Sequence, residues 1–215
     1  MMNHHDRSTR SGIVLLAGVL SFSVWTTANA QERMPPIPAD KMTEAQKKAA
    51  ADFTAARGNL SGPWAVLLRS PELVNRTRPL SDYLRFNSTL PPRLSEFVIL
   101  ITARGWAQQY EWNAHHPLAL KGGLNPDVAK AIAEGRRPAK MQEDEEIAYD
   151  FYTELDSNHS VSDATYARAL AKFGEPGIVD MVSLHGYYTM IAMVLNTART
   201  PLPPGTTSGL ARLPR

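Results

Sequence analysis

Apolar residues recur at helical spacing along most of the chain. Thr43-Glu44-Ala45-Gln46 reads as a capping box that opens a helix running to about Arg57, where Gly58 supplies a stop. Gly62-Pro63 reads as a loop, and Ser70-Pro71-Glu72 opens a second helix, proline at its first position, that continues to about Phe86. After Pro91-Pro92, the positions Leu94, Phe97, Val98, Ile101 and Ala103, with Leu100 beside them, predict a well-buried helix. Further helices are predicted over about 109–121, stopped by Gly122-Gly123, over 126–134, capped by Asn125, and over 141–156, which is acidic and amphipathic. Ser162 caps another, to about Phe173, and a last one spans about 176–198. Ile178, Met181, Leu184, Ile191 and Leu195 make that last helix apolar nearly all round, which predicts a place in the centre of the fold or in a subunit interface. No segment alternates with β-branched residues, and no solenoid period is present. The expected fold is all-α, a single domain of about seven helices around a central helical hairpin.

Composition narrows the chemistry. With 215 residues and 43% hydrophobic content the chain is long enough for one domain with a real core. Lys and Arg number 23 against 21 Asp and Glu, so no strongly basic face follows and nucleic acid is not an expected partner. Cysteine is absent, which excludes disulfides, thiolate metal sites and a thiol nucleophile. At the start, Arg7 and Arg10 precede an uncharged run of 13 residues, Ile13 to Trp25, and then Ala28-Asn29-Ala30. That order predicts a secretory signal peptide over 1–30 and a mature chain from about Gln31, in the periplasm or cell envelope. The run is shorter than the roughly 20 residues of a spanning helix, so no stable membrane anchor is expected. The arginines are not adjacent, which favours general over twin-arginine export. A Pro-rich arm over 31–42, the helical domain over 43–200 and a flexible tail over 201–215 complete the organisation.

The segment 96–123 holds the candidate chemistry. Glu96 lies in an apolar helix, Tyr110-Glu111-Trp112 follows a break at Gly105, and His115-His116 comes one turn beyond Glu111. Glu111 and His115 are four apart and share a helix face. Glu96 and Glu111 would stand roughly 22 Å apart on one straight helix, so they cooperate only if the chain reverses between 105 and 109. On the residues alone Glu96 also fits a structural pair with Arg93 or Arg104, and Tyr110 and Trp112 fit packing as well as they fit a pocket wall. Glu111 and His115 fit a metal pair with Glu96 or His116 as a third ligand, without the specificity of a His-Glu-x-x-His motif. His185 and Tyr187 on the last helix read as packing.

These residues resemble the carboxymuconolactone decarboxylase family, which shares its fold with the alkylhydroperoxidase-like disulfide reductases. The resemblance covers about 45–200 and is specific over 93–123. In that superfamily a Glu on one helix faces a Cys-x-x-Cys motif and a following His at the start of the next. Glu96 matches the Glu and His115 the His, while Gln108 and Glu111 stand at the two cysteine positions. Thiol peroxidase activity, the usual label of the superfamily, therefore has no nucleophile here.

The resemblance implies a cofactor-free lyase or isomerase acting on a small carboxylated or lactone-like substrate, with no resident metal, and assembly into trimers or hexamers. Glu96, Glu111 and His115 are the expected catalytic residues, with His115 as proton donor, oriented by one Glu while the other acts as base. Arg104, Tyr110 and His116 are the expected substrate-binding residues. Because carboxymuconolactone is a cytoplasmic intermediate, an exported relative is expected to act on a related but different substrate. The alternatives are a non-catalytic oligomeric envelope binding protein and a metal-dependent enzyme using Glu111 and His115.

Overall fold

The computed structural model of the protein describes Met1 and residues 31–207, 209 and 210. The predicted signal peptide falls outside the described residues. Among those described there are eight α-helices and no strand: α1 (Glu44–Arg57), α2 (Pro63–Leu67), α3 (Pro71–Phe86), α4 (Pro92–Gly105), α5 (Gln109–Lys121), α6 (Pro126–Ala133), α7 (Glu143–Asn158) and α8 (Asp163–Ala198). The capping box forms as read, with the Thr43 hydroxyl accepting from Gln46 N–H and the Gln46 side chain accepting from Thr43 N–H. Helix α2 lies where a loop was expected. Gly62, at φ 57°, turns the chain into it, and Pro63 supplies its first residue without needing a backbone donor. Gly174, at φ 66° and ψ 174°, breaks α8 into two helices end to end, with Pro176 restarting the second.

Helix α4 is the centre of the molecule. Leu94, Phe97, Val98, Ile99, Leu100 and Ala103 are wholly buried, and the helix packs mainly against α5 and α8. Each large apolar side chain so enclosed stabilises the fold by about 1.5–3 kcal/mol. The chain reverses at Trp106, Ala107 and Gln108, with Ala107 at φ 48°. Gln108 locks the reversal: its N–H donates to Ala103 O at 2.8 Å, and its side-chain oxygen accepts from Tyr110 N–H at 2.6 Å, capping α5. The hairpin that the chemistry required is therefore built by local hydrogen bonds.

Polar ties fix the surrounding helices. Arg93 at the start of α4 pairs with Asp144, at 2.6 Å, and with the buried Glu145 on α7. His185 on α8 joins Thr102 Oγ1 and Asp156 Oδ1, each at 2.8 Å, and so serves packing between α4, α7 and α8. The N-terminal arm is held by Arg33 N–H to Ala198 O at 2.8 Å and by Arg69 Nη2 to Pro35 O at 2.7 Å. In the segment after α8, Leu210 is buried against the core.

Candidate functional site

The first two turns of α5 carry Tyr110, Glu111, Ala114 and His115 on one face, and that face forms a wall of a cavity of about 190 Å³. The rest of the wall comes from α1, α2, α3 and the second half of α8. Glu96 does not line the cavity. It stands behind His115, and its Oε2 lies 2.6 Å from His115 Nδ1. A carboxylate only accepts, so Nδ1 carries the proton and Nε2 is the nitrogen left for a ligand. Burial pulls the His115 pKa below its ordinary value, against the opposing hydrogen bond and charge of Glu96. The imidazole is thus neutral and basic at Nε2 near pH 7.

Glu111 is in the opposite state. It is only 3% exposed, and neither carboxyl oxygen has a hydrogen-bond partner among the described residues. Burial pushes its pKa up to about 9. It is a carboxylic acid at neutral pH, holding a proton at the cavity wall. An uncompensated buried polar group costs about 1–3 kcal/mol, so its presence here suits a ligand more than the apo fold.

Two arginines with no role expected from the sequence also line the cavity. Arg85 on α3 reaches Glu96 Oε1 at 3.5 Å, the outer limit of a hydrogen bond, and its buried Nε has no partner. Arg57 on α1 is held by Asp82, with Nε to Oδ1 at 2.7 Å, and its guanidinium lies 5.5 Å from the Trp64 ring centroid. Tyr187 and Tyr188 close the α8 side, and the Tyr188 ring meets His115 edge-on at 5.0 Å. Burial raises the pKa of both phenols, so they remain neutral.

The structure thus brings Glu96, Glu111, His115 and Tyr110 together and separates the other two expected residues. Arg104 is buried on α4 and does not line the cavity. His116 lies on another face of α5, stacked on Trp112 at 5.5 Å, where it borders a separate cleft with Lys130 and Thr207. His115 is therefore the imidazole of the cavity. Glu96 pairs with His115 and Arg85 rather than with Arg93, which is committed to α7. Gln108, at the first cysteine position of the resembling reductases, is structural: besides capping α5 it donates to Asn196 Oδ1 at 2.9 Å. No group of three or more His, Asp and Glu side chains placed to hold a metal ion occurs among the described residues.

No protein-family model matches the chain, and no curated protein matches it in sequence. Among solved structures it is similar to the crystal structure of an alkylhydroperoxidase AhpD core, an uncharacterized peroxidase-related protein from Ralstonia eutropha JMP134. The two share 15% identity over 80% of this chain and 92% of that one, with a TM-score of 0.65. The chain has the AhpD-like helical fold, without the cysteine on which thiol chemistry depends.

Proposed function

We propose that the protein is a cofactor-free acid–base lyase or isomerase, related to the carboxymuconolactone decarboxylases, that acts on a small carboxylated or lactone-like substrate. The observation that carries this reading is the pairing of opposite proton states on one wall: neutral His115, oriented by Glu96 at 2.6 Å, beside Glu111, which keeps its proton up to about pH 9. A general base and a general acid that coexist at neutral pH are what a proton relocation needs. The roles are reversed from the sequence expectation, since Glu111 is the proton donor and His115 the base.

In the isomerase form of the reaction, His115 Nε2 takes a proton from the carbon next to the substrate carbonyl. The electron pair moves into the conjugated system, and Glu111 gives its proton to the far end. In the decarboxylase form, the bond to the departing carboxylate breaks and its electron pair enters the same conjugated system. Glu111 then protonates the distant carbon, while Arg85 and Arg57 offer positive charge to the anionic oxygens.

The test is conversion of carboxymuconolactone and related unsaturated lactone acids, followed by ultraviolet absorbance. We expect His115→Ala and Glu111→Gln each to lower turnover by roughly 10²–10⁴-fold. Glu96→Gln should lower it less, because the amide oxygen still accepts from Nδ1 while the negative charge behind the imidazole is lost. Unchanged turnover in both His115→Ala and Glu111→Gln overturns the mechanism. A folded wild type that converts none of these acids favours the envelope binding protein.

A further inference from the structure

At about 190 Å³ the cavity is small, below the roughly 300–1,000 Å³ typical of small-molecule sites. A second cleft, of about 450 Å³, adjoins it, and Ser61 and Tyr110 belong to the walls of both. This outer cleft runs between the N-terminal arm and the segment after α8, with Met34 and Pro36 on one side and Leu202 and Pro203 on the other. Its sides are fixed in place: Arg33 binds the carbonyl of Ala198, and Arg69 binds that of Pro35.

Tyr110 stands on the boundary between the two spaces, as part of the wall of each. Its ring lies directly on the backbone of Gly62, where a Cβ would stand 2.5 Å from the phenol oxygen. Inside, the partnerless groups are polar, namely Arg85 Nε and both oxygens of Glu111. Outside, the wall is dominated by proline and aliphatic side chains. A guanidinium with a spare donor takes an anionic oxygen, and an apolar wall takes hydrocarbon.

The geometry points to a ligand subsite: the outer cleft holds the apolar body of an amphipathic monocarboxylate whose carboxylate pairs with Arg85 in the inner cavity. Tyr110 is the positioning residue at which head and body divide. The inference rests on the acid–base reading only in placing the ligand's reactive end in the same cavity.

Two probes decide it by calorimetric binding to the full chain, 4-phenylbutyrate directly and propionate by competition against it. Phenylbutyrate should bind roughly tenfold or more tighter than propionate. Leu202→Asp, at a half-buried position outside the core, should remove most of that advantage and leave propionate unchanged. Arg85→Gln should weaken both probes, with circular dichroism confirming that the variant is folded. Equal affinity for the two probes, an advantage insensitive to Leu202→Asp, no binding of phenylbutyrate, or full affinity in folded Arg85→Gln each overturns the subsite. Binding is measured without turnover, so the outcomes separate: a failed subsite leaves the lyase reading standing, and a confirmed one survives its failure.

Discussion

Glu111 carries a stability signature that is independent of any substrate. Its folded pKa of about 9 lies above the ordinary glutamate value of 4.5, so between those limits the native state holds a proton that the unfolded chain has released. Stability from this group is therefore complete at acidic pH and falls as pH rises, by roughly 1.4 kcal/mol per unit across that window. Glu111→Gln abolishes the effect, because the amide does not ionise. We predict that the variant gains stability over wild type as pH rises from 5 to 8, by roughly ten degrees in melting temperature. A difference that stays constant with pH would mean that Glu111 is ordinary in the folded protein. Residues differed in how legible they were. Glu111 and His115 stood out because a spacing of four puts them on one helix face. Arg85 did not, since an arginine in the last turn of a helix reads as a complement to the helix dipole, and only the packing of α3 against α4 turns it toward Glu96.

At the scale of elements, the site depends on α4 being held in register while α5 folds back on it. Arg93 anchors the N-terminal end of α4 to α7 through Asp144 and Glu145, and Glu145 is only 1% exposed. Arg93→Ala leaves that carboxylate buried without its cation, a change that costs about 3–5 kcal/mol in comparable pairs. Urea unfolding should show a loss of that size; a loss under about 1 kcal/mol would place the pair among surface bridges of little consequence. Helix starts were readable because their signals are local, as at Thr43, Ser162 and the prolines at the first turns of α3, α4 and α6. The five residues of α2 were not, because a single turn has no period to detect and its stability comes from packing of Ala65, Val66 and Leu67. The reversal at 106–108 was required by the chemistry, but the device that makes it, a glutamine capping α5 while its own N–H bonds back to α4, had no signature in spacing.

Across the whole molecule, the described chain wraps a set of helices around α4 and leaves one cavity wall where opposite proton states meet. Apolar side chains also remain on the outer faces of α3 and α8, among them Phe86, Val179 and Met193. The fold class was legible because helical periodicity persists through nearly every segment. The proton states of His115 and Glu111 were not, because burial and pairing, which set the two pKa values, exist only once the helices are packed. A site-resolved titration of Glu111 and His115 by NMR in the folded protein tests whether acid and base coexist in the cavity. Glu111 is expected to keep its proton until about pH 9 and His115 to titrate below its ordinary value, leaving acid and base both competent at neutral pH. A Glu111 that ionises in the usual carboxylate range would contradict it, because the cavity would then hold no carboxylic acid to deliver a proton.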